Sequence, residues 1–249
     1  MAGRAAAAAF IAALLAAACA GKADIPGGID RYTAPDGKEV VITPIKHASL
    51  QITYGGTEIQ VDPVSSAYRP IVDYTDKPQA DIILVTHDHY DHFDQNAIFL
   101  LSKPSTEVFL PQRCYTRYKR GRVMRNGDSV QIGPDISVKA LPAYNAEPSM
   151  RHLHPKSAGN GYLLSLGGLR IYIAGDTDTV PPRSALGAVD IAFLPCHAPQ
   201  TMGPAGLRRA ITAIRPKIVY PYHFGQTPTD SLEWAARGTG AEMKLRYLR

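Results

Sequence analysis

A chain of 249 residues with 45% hydrophobic and 20% charged residues can bury a full core, which excludes a disordered, collagenous or coiled-coil protein. Its 21 glycines and 20 prolines suit a loop-rich α/β domain better than a helical bundle. The formal net charge of +5 permits anionic partners without demanding nucleic acid.

Residues 1–20 carry one basic residue, Arg4, ahead of an apolar stretch from Ala5 to Ala18 that ends in small residues. This is the pattern of an export signal, and Lys22 and Asp24 end the run short of the about 20 apolar residues a membrane span needs. Cys19 follows Leu15-Ala16-Ala17-Ala18 in a lipobox-like order, with the leucine one position further away than is commonest. Ala18-Cys19-Ala20 also fits ordinary secretory cleavage. The expected location is the periplasm or, through a lipid anchor at Cys19, the bacterial cell envelope. Residues 21–36 hold Gly, Pro and Asp without periodicity and are expected to be a flexible tether, with 37–249 as one domain. Cys114 and Cys196 are far apart in sequence and are not expected to pair.

From Val40 the sequence VVITPIKHASLQITY, the turn Gly55-Gly56 and TEIQVDPV predict a β-hairpin. Ile82 to Val85 form a short apolar strand that stops at a polar cluster. A short helix over Asp94–Leu101, a strand over Glu107–Leu110, a basic segment and a strand over Ile136–Ala143 follow. Leu163–Leu166 and Leu169–Ala174, joined by Gly167-Gly168, predict a second hairpin ending at Gly175-Asp176. Asp190–Leu194 is another apolar strand. Leu207, Ala210, Ile211 and Ile214 fall at helical spacing over Pro204–Ile214, and Pro216 stops that helix before the strand Ile218–Tyr220.

Thr86-His87-Asp88-His89-Tyr90-Asp91-His92 places three histidines and two aspartates directly after a buried strand. Neutral imidazoles and carboxylates are the ligands of zinc and of related transition metals, so a loop this dense in both is chemically a metal site. His87 and His89 point the same way in an extended segment because side chains repeat with period two. The turn after Tyr90 lets Asp91 and His92 face a second ion.

This His-x-His-x-Asp-His motif after a strand resembles the metallo-β-lactamase superfamily, and the resemblance runs from about Val40 to His223. His47-Ala48-Ser49 and Val61-Asp62-Pro63 resemble the opening hairpin of that family, Ile173-Ala174-Gly175-Asp176-Thr177 its bridging-aspartate motif, and Tyr220-Pro221-Tyr222-His223 its final metal histidine. The resemblance implies an α/β fold, a four-layer αββα sandwich. It makes His87 and His89 ligands of a first metal, Asp91, His92 and His223 ligands of a second, and Asp176 the bridge. The competing structural readings are a turn residue after glycine for Asp176 and a core histidine at a strand end for His223.

The family places a further histidine where this chain has Asn145, and a neutral amide is a poor zinc ligand. His154 is the expected replacement, with His152 second and an incomplete first site third. His197 follows a strand end and is a weak substrate-binding candidate, whereas His47 reads as structural. The basic segment Arg113 to Arg125 reads first as a solvated face and otherwise as a contact for anionic lipid surfaces rather than nucleic acid.

Two metal ions, Zn²⁺ by default and Fe or Mn otherwise, imply a hydrolase whose metal-bound hydroxide attacks a carbonyl carbon or phosphorus, with Asp91 orienting the nucleophile. The motifs look closest to L-ascorbate-6-phosphate lactonase and N-acyl-phosphatidylethanolamine phospholipase D. An ester, lactone or phosphodiester of a small molecule or lipid is the expected substrate, ahead of a β-lactam. The competing expectation is a non-catalytic binding protein of the same fold, for which Asn145 is the support.

Overall fold

The computed structural model describes residues 28–249, so the export-signal and Cys19 expectations lie outside the described residues. The first half of the chain contains β1 (Asp30–Thr33), β2 (Glu39–Lys46), β3 (Ser49–Tyr54), β4 (Thr57–Val61), β5 (Ala80–Leu84), α1 (Gln95–Leu101), β6 (Ser102–Leu110), α2 (Gln112–Tyr118) and β7 (Arg122–Val123). The second half contains β8 (Ser129–Ile132), β9 (Ile136–Ala143), β10 (Gly159–Leu166), β11 (Leu169–Ile173), α3 (Arg183–Leu186), β12 (Ile191–Pro195), α4 (Pro204–Ile214), β13 (Ile218–Tyr222), α5 (Thr229–Ala236) and β14 (Glu242–Met243).

Each half builds one seven-stranded sheet, in the orders β1-β2-β3-β4-β5-β6-β7 and β14-β13-β12-β11-β10-β9-β8. In both sheets an antiparallel meander passes into parallel strands, β4 to β7 in one and β11 to β14 in the other. Parallel strands bury both faces and read as continuous apolar runs. In β5 and its extension, Ile82 and Leu84 join the core between the sheets, whereas Ile83 and Val85 face outward beneath α1 and α2. Leu207, Ile211 and Ile214 of α4 and Leu232 of α5 belong to the main core with the second sheet. The layers are therefore those of an αββα sandwich, as the motifs implied.

Helix α4 spans the expected 204–214, with Pro204 in its first turn, its four apolar positions buried and Arg215 closing it in the left-handed conformation at φ 54°. Asp94 caps α1 by accepting from the Asn96 and Ala97 amides. Phe193 of β12 is fully buried and stacked on Tyr220 at 4.7 Å. Phe193→Ala is expected to destabilise the fold by about 3–5 kcal/mol, read as a lower denaturation midpoint at unchanged slope.

Three local expectations need correction. The run from Val40 to Tyr54 is two strands, because the chain reverses at His47, which takes φ 52° with no glycine or proline to signal it. The expected tether holds a strand in its second half: β1 pairs with β2 from Asp30 to Thr33, and Arg246 donates to the Asp30 carboxylate. The basic segment contains α2, anchored through buried Cys114. Cys114 and Cys196 are both free and buried, and they lie in separate clusters.

Candidate metal centre

The sequence places its polar residues where strands stop, and the fold brings those stops to one edge. Asp62 follows β4, the 86–92 loop follows β5, Asp176 lies just beyond β11, His197 just beyond β12, and His223 follows β13. Ligand sites of parallel sheets gather at such carboxyl ends. Gly175, at φ 68°, makes the turn that presents Asp176, and a Cβ there would stand 2.9 Å from the Asn160 carbonyl oxygen. Only glycine takes that backbone without strain and without that contact.

Three groups of potential ligand atoms converge. His87, His89 and His154 form one, His47, Asp91, His92 and His223 another, and His87, His92 and Asp176 a third, with the atoms of each group within 4.8 Å of one another. Asp176 stands between them: its Oδ2 is 3.1 Å from His223 Nε2, 3.4 Å from His154 Nε2 and 3.9 Å from His87 Nε2, and its Oδ1 is 3.5 Å from His92 Nε2. Asp91 Oδ2 lies 3.8 Å from His223 Nε2.

The buried atoms His87 Nε2, His92 Nε2, both ring nitrogens of His154, and Asp176 Oδ1 have no hydrogen-bond partner. Buried polar atoms are almost always satisfied, so a concentration of unsatisfied lone-pair donors aimed at one another points to a shared acceptor. Imidazole nitrogen with carboxylate oxygen is the donor set of Zn²⁺, Fe and Mn, and the residues present fit such ions.

Ligands must shed protons to bind metal, a condition that His87, His89 and Asp176 meet and that His92 opposes. Burial and the neighbouring His92 hold His87 well below its ordinary value, and burial with His154 lowers His89. Burial opposes charge on Asp176, yet His223 and His92 hold it well below the usual carboxylate range. Burial likewise opposes charge on His92, but Asp176 and Asp62 outweigh it and raise the ring to about 9.

Asp62 and His47 complete the centre. Asp62 is fully buried, accepts from the Thr86 amide at 2.7 Å and hydroxyl at 2.6 Å, and meets His92 Nδ1 at 2.8 Å. It thereby fixes the ring and leaves Nε2 facing Asp176. Asp62→Asn is expected to weaken metal binding about 10–100-fold, measured by competition with a chromogenic chelator. His47 Nε2 lies 3.2 Å from Asp91 Oδ2, with its ring centroid 4.0 Å from that of His223. It therefore contacts the centre directly, contrary to its reading as a purely structural histidine.

Asn145 does not face the imidazoles. Its Nδ2 donates to the carbonyls of Gln200 at 2.8 Å and Met150 at 3.2 Å, and its backbone amide donates to the His154 carbonyl at 2.9 Å. Asn145 clasps the loop that carries His154 back to His87 and His89, while His152 is exposed.

A cleft of about 490 Å³ opens over the centre, lined among others by Tyr68, Tyr90, Arg117, His197 and Gln200. Tyr68 reaches Asp91 Oδ2 at 3.4 Å. Its loop is held by the buried Lys46 ammonium, which donates to the carbonyls of Ser65, Ala67 and Pro70 at 2.7, 2.8 and 3.0 Å. Gly225 packs on His197, since a Cβ there would lie 2.7 Å from the ring. Sequence reasoning missed Asp62, Tyr68 and Arg117 as parts of the site; the signals available were a carboxylate at the end of an apolar strand, Val61-Asp62, and the basic segment that holds Arg117.

A two-sheet αββα sandwich with buried histidines and aspartates gathered at one edge defines the fold class of the metallo-β-lactamases. Residues 41–223 match the family model of the beta-lactamase superfamily domain. The UPF0173 metal-dependent hydrolase of Thermus thermophilus is 30% identical over 193 residues, 76% of this chain and 85% of the relative. Its counterpart in Methanopyrus kandleri is 27% identical over 197 residues, 75% of this chain and 85% of the relative. A crystal structure from Parabacteroides distasonis, of a protein assigned to the metal-dependent hydrolases, is similar at a TM-score of 0.85 and 41% identity, covering 90% of this chain and 100% of that one. The chain belongs to the beta-lactamase superfamily, among its metal-dependent hydrolases.

Proposed function

We propose that this chain is a binuclear hydrolase that cleaves an ester, lactone or phosphodiester bond. The observation that carries the reading is the set of buried, unpartnered imidazole nitrogens of His87, His92 and His154 converging on the two oxygens of Asp176. In this reading His87, His89 and His154 hold one cation, Asp91, His92 and His223 hold the other, and Asp176 serves both. Zn²⁺ is the expected ion, and Fe or Mn suits the same mixed donor set. Such cations lower the pKa of coordinated water toward about 7 and stabilise negative charge developing on a carbonyl or phosphoryl oxygen.

The chain's own groups supply orientation. Asp91 accepts a hydrogen bond from the attacking water, and His47 and Tyr68 fix the carboxylate from behind. His197 is a substrate contact on the cleft wall. The relatives described as metal-dependent hydrolases support this reading, and the narrower likeness to the lactonase and phospholipase D branch is one form of it. The non-catalytic alternative rested on Asn145, and with His154 standing beside His87 and His89 that observation no longer favours it.

The test is metal content by mass spectrometry on the mature protein, paired with hydrolysis of bis(4-nitrophenyl) phosphate, an aliphatic lactone and a chromogenic β-lactam. Two cations per chain with chelator-sensitive turnover is the expected result. No metal and no turnover after reconstitution would overturn the reading. Export and lipidation at Cys19 form part of the proposal, tested by palmitate labelling of the wild type against Cys19→Ala. Among the described residues no helix is long and apolar enough to cross a membrane.

A further inference from the structure

We infer that the substrate carries an anionic group, a phosphate or a carboxylate, away from the bond that is cleaved, and that Arg117 receives it in the cleft, with Arg113 adding positive charge at the neighbouring recess. The inference rests on the hydrolase reading and adds the substrate's charge to it.

The segment from Arg113 to Arg125 holds six basic residues and no acidic one. All six are exposed, and two of them, Arg113 and Arg117, border openings at the centre. Burial of Cys114 against the outer face of the first sheet sets the orientation of α2. Arg113 and Arg117, four residues apart, then share one side of the helix. Arg113 borders a small recess shared with His87, His154 and Asp176. Arg117 borders the main cleft with His89, His154 and Asp176. Two guanidinium groups thus flank the proposed first cation site.

Arg117 is also held in place. Its Nη1 donates to the Asp88 carbonyl at 2.6 Å, and its guanidinium carbon lies 5.3 Å from the Phe93 ring centroid. A guanidinium has five donors in a rigid fork, so this anchoring leaves others for a ligand oxygen. The Asp88 carboxylate stands 4.0 Å away, beyond hydrogen-bond distance. Tyr68, Tyr90, Leu153 and Gln200 are neutral parts of the wall, while Asp88 also lines it and shares Arg117 with an incoming anion. A substrate anchored by an anion on Arg117 therefore lies across apolar and aromatic surface with its scissile bond toward Asp176 and Asp91.

The test compares metal-loaded wild type, Arg117→Gln, Arg113→Gln and, as a control in the same basic segment but outside the cleft, Arg120→Gln. Two matched esters are hydrolysed, neutral 4-nitrophenyl butyrate and anionic mono-4-nitrophenyl glutarate, and inorganic phosphate binding is followed by calorimetry. The expected result is a preference of about tenfold or more for the anionic ester, carried by KM, as a charge-assisted hydrogen bond gives. Arg117→Gln abolishes it, Arg113→Gln reduces it and Arg120→Gln keeps it, with phosphate binding weakened about tenfold in Arg117→Gln at unchanged metal content. Cosedimentation with phosphatidylglycerol vesicles assigns the source: loss of vesicle binding in Arg117→Gln identifies a lipid headgroup, and absence of vesicle binding in the wild type identifies a soluble anion. Equal treatment of the two esters by the wild type, with phosphate affinity unchanged in Arg117→Gln, overturns the inference. If the wild type cleaves neither ester nor any substrate of the preceding test but binds phosphate through Arg117, the hydrolase reading fails and the anion site stands.

Discussion

Asp176→Asn is expected to lower hydrolysis by roughly 10²–10³-fold, the factor that follows when several kcal/mol of metal-supplied charge stabilisation are lost. The reasoning starts from position. Asp176 has both oxygens within 4 Å of imidazoles assigned to different cations, and only its Oδ1 lacks a hydrogen-bond partner in the pair. The amide keeps the volume but replaces one anionic oxygen by a donor with no lone pair, so it cannot serve two cations. Metal content is expected to fall from two ions per chain toward one. Circular dichroism and thermal unfolding should show the fold retained, since 176 lies beyond the end of β11 rather than within it. A variant that retains both ions and full turnover would remove Asp176 from the centre and with it the binuclear proposal.

The second large effect separates two histidines that are two residues apart. His154→Ala is expected to cost the first site more than about 100-fold in metal affinity, beyond the 10–100-fold typical of residues that only orient a ligand. His152→Ala is expected to leave affinity and activity within twofold of wild type, because surface substitutions away from a site are nearly neutral. The physical basis is delivery of the ring: the Asn145 amide bonds the His154 carbonyl, and the Asn145 side chain ties the same loop to Met150 and Gln200. His154 is buried against the cluster while His152 faces solvent. The reverse outcome, with His152→Ala losing metal and His154→Ala keeping it, would show that the loop is arranged differently around a bound ion. Asn145→Ala serves as the intermediate case, with metal affinity reduced through the loop, and Asn145→Asp is expected to do no better, because a carboxylate has no N–H to donate to the Met150 and Gln200 carbonyls.

The extent to which this molecule was legible in its sequence varied with the range of the interactions involved. Local physics was readable. The continuous apolar run of β5, the helical spacing and proline boundaries of α4, and the short helix that begins at Asp94 depend on neighbours a few residues away. So does the density of histidine and aspartate from His87 to His92, which no packing requirement explains and which marks metal chemistry before any fold is known. The order of motifs up to His223 then implied the two-sheet sandwich that the chain adopts.

Features decided at long range were not readable. The reversal at His47 carries no turn residue; the positive φ is sustained by contacts with residues 44 and 176 positions further along the chain, at Asp91 and His223. Asp62 reads as a strand-end carboxylate until β4 and β5 pair in parallel and bring it beneath His92. Arg113 and Arg117 read as part of a solvated basic segment until burial of Cys114 sets α2 so that Arg117 borders the cleft and Arg113 the recess beside His87. The sequence by itself determined which side chains are able to bind metal and which strands deliver them. Tertiary structure decided which imidazole stands beside His87 and His89, which groups hold those rings still, and which charges face the cleft, because each of those depends on distances between strand ends that no local pattern encodes.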